Sequence, residues 1–369
     1  MNNRIYILDS SRDVTGALKS SLLVAKSLEN IYDINFILPV GSKADKKVLE
    51  SGYDLVLMGV PSLRKKLKSI ILYCPILIKF TVELKKVIEI NNCSILILND
   101  FDKPVGLLLN ILGWKGKIYT FVRRRPSSFN KVLASIWIKN AIYTSENVIA
   151  VSDVVLKELP ISKKVVRIYN PVDMPSYYEC TDYPSFDIIK FLCLGNYMPG
   201  KGQDEALNAF LSAYESNKNI RLHFVGGDLG LKKNAYYKRY LVNKVERLGL
   251  ANIITFHGYV DNIEDVISES HVVLNFSISE SFSRVCVEAA SYGRPVIATK
   301  SGGPQEIILH GESGFLVDIG DIDSMSKYII WFSNNSEKIP LMGKIATEIV
   351  SNKFSLEKFQ TEMKELFFK

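Results

Sequence analysis

No stretch of this chain is apolar for the roughly 20 residues that a membrane-spanning helix requires. The most apolar stretch, residues 69–80, follows Lys68 and is broken by Pro75 and Lys79. Histidine is scarce, and His223, His257, His271 and His310 all lie in the second half. Cysteine is scarce too, and odd in number. Cys74, Cys93, Cys180, Cys193 and Cys286 are scattered and mostly sit inside apolar runs, which fits reduced core thiols in a cytosolic protein better than disulfides or a metal site. The N-terminus lacks the charged segment and apolar core of a secretory signal and reads as a buried strand. Cytoplasmic placement is the expectation.

What the chain does contain is a globular composition, 47% hydrophobic and 23% charged, over 369 residues, a length that suits two domains. Charge is unevenly shared. Residues 1–185 hold 26 Lys and Arg against 17 Asp and Glu, whereas the remainder holds 20 against 22. A basic half suits a phosphate, a nucleic acid or an acidic membrane surface, or is simply a basic solvated surface. Nucleic acid is the poorest fit, because the cluster Arg123, Arg124 and Arg125 lacks interleaved aromatics and the second half is slightly acidic.

Short apolar runs alternate with helical patterns. Strands are expected at residues 5–8, 34–38, 54–58, 94–98, 118–122 and 148–151, with a helix over 17–28 whose Leu18, Leu22, Ala25 and Leu28 share one face. Residues 174–186 are rich in Pro, Ser, Tyr and Asp without periodicity and read as a linker. A second series follows, with strands at 188–194, 222–225, 253–257, 272–276 and 295–299 and helices at 204–214, 235–248, 263–268 and 283–292. Continuous apolar strands separated by helices argue an α/β class: two doubly wound, Rossmann-like domains facing across a cleft, at 1–173 and 187–350. Ligands of such sheets sit at the carboxyl ends of the strands.

The most informative segment is ESFSRVCVE, from Glu280 to Glu288. A buried strand ends near Phe276, a polar loop follows, and a helix starts around Ser283, with Gly293 placed to end it. Amides of the loop and the helix N-terminus favour a phosphate there. Glu288 is then about 7–8 Å along the helix axis, near the reach from a β-phosphate to a ribose diol. Glu280 falls near the sugar that such a phosphate would carry. Between the first strand and helix of this half, Gly195, Gly200 and Gly202 allow close backbone approach, and Lys201 offers a cation for a diphosphate. Glycine-bearing loops with Gly226 and with Gly258 and Tyr259 could line a base pocket, and Gly302 and Gly303 form another such loop.

In this order the motifs resemble the retaining glycosyltransferase family 4, whose members have the GT-B fold. The resemblance rests on Gly195 with Lys201 and Gly202, Gly226 and Gly227, His257 and Gly258, Glu280 with Glu288, and Gly302, Gly303, Pro304 and Glu306. It is strong over residues 148–320, where Ser152, Asn170 and Asp173 also match, and loose over 1–147. It implies that Glu288 binds ribose hydroxyls and that Glu280 contacts the donor sugar near the reacting carbon. Ser281, Phe282 and Ser283 would hold the phosphates with Lys201, and Gly16 would let the first domain approach the diphosphate. It also implies no metal or other cofactor, and a terminal helix, within 351–369, that crosses back to the first domain.

Two departures stand out. The family usually carries Arg after the glycine at 195, where this chain has Asn196, so Arg284 or one of Arg123, Arg124 and Arg125 would have to replace that phosphate cation. Many members place a histidine near the donor sugar in the first domain, and Arg123 occupies about that place. The implied reaction moves a sugar from a UDP-, GDP- or dTDP-linked donor to a saccharide or polyprenyl-linked acceptor, as in bacterial surface polysaccharide, O-antigen or capsule assembly. A nucleotide-sugar-binding protein without turnover and a nucleotide-sugar epimerase on the same fold are the alternatives. For the acceptor side, residues 63–68 and 107–117 pair basic with apolar residues, suiting either the inner face of the cytoplasmic membrane or solvated lysines on core helices. Arg123, Arg124 and Arg125 could instead meet an acceptor pyrophosphate.

Overall fold

The computed structural model describes residues 4–61, 67–172, 174 and 182–367. Asp173, Cys180, residues 63–66 and most of the expected linker fall outside the described residues. The chain divides into two units, one made of Met1–Pro171 with Glu357–Lys369 and the other of Val172–Leu356.

The first unit is a parallel sheet of β1 (Arg4–Leu8), β2 (Asp33–Pro39), β3 (Asp54–Met58), β4 (Cys93–Leu98), β5 (Lys117–Val122), β6 (Asn147–Ala150) and β7 (Val165–Arg167). Their order is β3-β2-β1-β4-β5-β6-β7. Ile5, Ile7, Phe36, Ile37, Leu96, Ile97, Phe121, Val148 and Ile149 are buried, as central strands covered on both faces by helices require. The order reverses between β1 and β4, so the loops after these strands open beside each other.

The second unit is a parallel sheet of β8 (Ile189–Leu194), β9 (Ile220–Val225), β10 (Ile254–His257), β11 (Val272–Asn275), β12 (Val296–Thr299) and β13 (Gly314–Val317), ordered β10-β9-β8-β11-β12-β13. Here the reversal lies between β8 and β11, so the loop bearing Lys201 and the loop bearing Glu280 meet at the switch point. Phe191, Leu222, Phe224, Leu274 and Ile297 from the sheet join Phe210, Leu241, Met325 and Phe332 in its core.

Two strands lie outside the sequence reading. β7 has three half-buried residues at a sheet edge, and β13 begins at Gly314, where a Cβ would run into the Val296 carbonyl. The 69–80 stretch is part of the helix Leu67–Ile90, with Pro75 inside it. Among the described residues no helix is long and apolar enough to cross a membrane. Cys93, Cys193 and Cys286 are buried thiols, but Cys74 is exposed. It lies on a helix with one solvent face, which an apolar run alone does not reveal.

The helix Lys338–Phe354 runs through residue 351, and the terminal helix Leu356–Phe367 follows it. Phe367 stacks on Tyr119 of β5 at 4.1 Å and meets Tyr32 edge-on. The Val172 N–H donates to the Phe354 carbonyl at 2.9 Å, so the two places where the chain passes between units lie side by side.

Candidate active site

Three loops interlock at the switch point of the second unit. The Ile278 N–H donates to the Gly200 carbonyl, the Glu280 N–H to Ser301, and the Gly303 N–H to Glu280, each at 3.0 Å. The approach leaves no room for side chains: a Cβ on Gly202 would strike the Phe276 carbonyl, and one on Gly303 the backbone of Phe282. This frame brings Lys201 Nζ to 2.8 Å from Glu280 Oε1, whose side chain is only 13% exposed.

Ser283 precedes the helix Arg284–Ser291 in the left-handed region, at φ 68° and ψ 74°. Such a conformation costs a non-glycine residue on the order of 1 kcal/mol or more, and it persists where the surroundings over-determine it. Here Asn275 Nδ2 donates to Ser283 Oγ at 2.8 Å, and that hydroxyl donates to Cys286 Sγ at 3.1 Å. The first amides of the helix have no acceptor within the helix. Arg284 opens the helix, and Glu288 follows one turn later. Arg284 NH2 lies 2.7 Å from Glu288 Oε1, with the two side chains 19% and 11% exposed. The predicted phosphate cation therefore holds the predicted ribose acid.

Close contact also joins the loops after β8 and β9. The Gly195 N–H donates to Val225 and the Tyr197 N–H to Gly227, while a Cβ on Gly226 would meet the Gly195 carbonyl. Asn196 borders Gly227, as does Tyr259, whose ring is exposed. Sequence reasoning passed over Tyr197. Its buried hydroxyl lies within hydrogen-bonding distance of the carbonyls of Phe224 and His257, tying the loops after β8, β9 and β10 together. Burial raises its pKa far above that of an ordinary phenol. Its place inside the glycine-bearing loop between Gly195 and Gly200 was the available signal.

In the first unit, Gly16 is exposed and opens the helix Gly16–Leu28, capped by Thr15 Oγ1. The arginine triplet disperses. Arg123 is buried; its Nε donates to Asn99 Oδ1 at 2.7 Å, its NH1 reaches Asn170 Oδ1, and its guanidinium lies over Phe121. Asn99 in turn donates to the buried Asp9 at 2.5 Å. Arg124 bridges Asp100 and Asp102, and Arg125 pairs with Glu158. Burial alone would lower the Arg124 pKa, but the two carboxylates outweigh it and hold the group well above its ordinary value. Burial pushes Asp100 up, whereas Lys103 and Arg124 overcome burial at Asp102 and hold it down. Asp100, Asp102 and Lys103 line a small cavity with Leu8, Ser10 and Leu98. None of these acids was singled out from the sequence, because the arginines that meet them lie in the loop after β5, far along the chain. Among the described residues no group of three His, Cys, Asp or Glu side chains could hold a metal ion.

Residues 187–348 match the family described as glycosyl transferases group 1. An N-acetyl-alpha-D-glucosaminyl L-malate synthase of Bacillus anthracis is 26% identical over 242 residues, covering 63% of this chain and 61% of that protein. An uncharacterised 41.2 kDa protein in the cps region of Klebsiella pneumoniae is 27% identical over 263 residues, covering 68% and 64%. The chain thus spans about three fifths of the length of the curated relatives it matches. The solved structure of Anabaena HepE in complex with UDP and glucose superposes with a TM-score of 0.82 at 20% identity over 99% of both chains. That likeness concerns the fold, which is GT-B: two parallel-sheet, Rossmann-like units. Residues 187–348, most of the second unit, are thus similar to the glycosyl transferases group 1 family.

Proposed function

We propose that this protein is a retaining glycosyltransferase that moves a sugar from a nucleoside-diphosphate sugar to a saccharide or polyprenyl-linked acceptor in surface polysaccharide synthesis. The observation that carries the reading is the pairing of Lys201 with Glu280 beside the helix that bears Glu288. A diphosphate at that helix N-terminus meets the amides and the Lys201 ammonium, which stabilise negative charge as the bond to the sugar breaks. Glu280 then receives hydroxyls of the sugar, and Glu288 the ribose diol. In the retaining course the acceptor oxygen attacks the face from which the diphosphate leaves, and the departing phosphate oxygen takes the acceptor proton. Side-chain and amide charges fill the role of a metal in this scheme, so no cofactor is required.

UDP-sugars are the first donors to test, because the Anabaena relative of the same fold was solved with UDP and glucose. The acceptor side favours an anionic lipid surface at the inner face of the cytoplasmic membrane. Residues 103–145 contain eight basic residues and no acidic one. Leu107, Ile111, Leu112, Val132 and Ile136 are exposed there, among the exposed Lys115, Lys131 and Lys139.

The test is a panel of UDP-, GDP- and dTDP-sugars, scored for binding, hydrolysis and transfer, with Glu288→Ala alongside the wild type. One donor should bind and slowly release its nucleotide, and Glu288→Ala should weaken binding about tenfold, or about 1.4 kcal/mol. Asn196, where the family has arginine, motivates a second reading as a binding protein. Donor binding with neither hydrolysis nor transfer would select it, and donor interconversion without acceptor would select an epimerase.

A further inference from the structure

We propose that Arg284 makes this site selective for nucleoside diphosphates over nucleosides by competing with the ribose for Glu288; the inference rests on the reading of Glu288 as the ribose acid. Arg284 and Glu288 occupy successive turns of one face of the helix Arg284–Ser291, and NH2 lies 2.7 Å from Oε1. Both side chains are largely shielded from water, so neither charge is left without a counterion at low cost. A ribose that takes the carboxylate therefore has to displace the guanidinium.

What happens next depends on the rest of the ligand. A nucleoside is neutral and offers the displaced guanidinium nothing. A nucleoside diphosphate brings negative charge to the N-terminal end of the same helix, where Arg284 is the first residue. The guanidinium then exchanges one anion for another, and Glu288 is released to the diol. The sugar end is built alike: Lys201 holds Glu280 at 2.8 Å until phosphate draws the ammonium away. The ligand-free site thus contains two cations and two carboxylates paired with each other. In the loaded site both cations face phosphate and both carboxylates face hydroxyls. Asn196 adds no charge to this exchange, which falls to Lys201 and Arg284.

The experiment measures binding of uridine and UDP to the full chain by calorimetry, in the wild type, Arg284→Gln and Glu288→Ala, using the matching nucleoside and diphosphate if the donor panel selects another base. Arg284→Gln should bind uridine at least fivefold more tightly than the wild type and UDP about tenfold more weakly. Opposite signs are the diagnostic result, since damage to the fold weakens both. Uridine affinity that is unchanged or reduced in Arg284→Gln, with weakened UDP, makes Arg284 a plain phosphate ligand and overturns the proposal. A second measurement needs no variant: saturating inorganic pyrophosphate should tighten uridine binding to the wild type, and independence or antagonism of the two overturns the proposal. If Glu288→Ala binds UDP as well as the wild type does, the ribose assignment itself fails, a result distinct from either of these.

Discussion

Lys201 Nζ and Glu280 Oε1 are 2.8 Å apart although 79 positions separate them in the chain. Their meeting depends on the reversal of strand order between β8 and β11 and on a glycine at 202 that lets the two loops touch. In the proposed reaction this pair divides when the donor enters, and the ammonium follows the charge that builds on the departing diphosphate.

Lys201→Ala should therefore lower kcat by about a hundredfold or more while changing donor KM far less, because its stabilisation is greatest as the bond breaks. Steady-state kinetics with the donor found in the panel checks this. A rise in KM with unchanged kcat would assign Lys201 to ground-state binding instead.

The glycine frame predicts a stability contrast. Gly202→Ala places a methyl against the Phe276 carbonyl in a backbone conformation with φ of 77°, and should cost about 2–3 kcal/mol. Gly258→Ala meets nothing within 4 Å and should be nearly neutral. Urea denaturation of the two variants beside the wild type gives the difference.

His271 predicts a pH dependence. Its Nδ1 accepts the Lys190 N–H at 2.9 Å, so Nε2 carries the proton and faces the Pro184 carbonyl. Burial is the main cause that lowers its pKa from 6.5 to about 4. The folded state thus binds this proton less readily than the unfolded chain does. The contribution to stability is complete above pH 6.5 and declines as pH falls from there towards 4. Urea midpoints measured at pH 7.5, 6 and 5 should fall in the wild type, and His271→Gln should remove part of that slope.

The exposed apolar and lysine residues within 103–145 should bind lipid. The full chain should co-sediment with vesicles containing anionic phospholipid and not with purely zwitterionic ones, with binding lost at high salt. The double variant Ile111→Glu with Ile136→Glu changes two exposed positions, 71% and 55% accessible, and should abolish sedimentation while leaving the thermal midpoint within a few degrees. Retained binding by that variant would move the surface elsewhere.

Much of this organisation was legible in the residues. Runs such as residues 95–98 and 272–274 are apolar throughout, as strands covered on both faces must be, and glycines at strand ends marked where loops approach one another. The acids Glu280 and Glu288 stood out through their position at a strand–loop–helix junction. What the sequence concealed was pairing across distance. Arg123 read as an available cation, yet Asn99 and Asn170, 24 and 47 positions away, surround its guanidinium. Arg284 read as a phosphate ligand, and its one-turn spacing from Glu288 was visible but competed with that role. β7 escaped notice because three half-buried residues carry too little periodicity.

The stack of Phe367 on Tyr119 bears on how the molecule comes into being. The first unit is built from Met1–Pro171 and Glu357–Lys369, with the whole second unit inserted between these two segments. A growing chain can therefore assemble the second unit from a continuous stretch, while Tyr119 in the first waits uncovered until residues 357–367 have been made. Truncation within the terminal helix should accordingly injure the unit most remote from it in sequence and leave the proposed donor site intact.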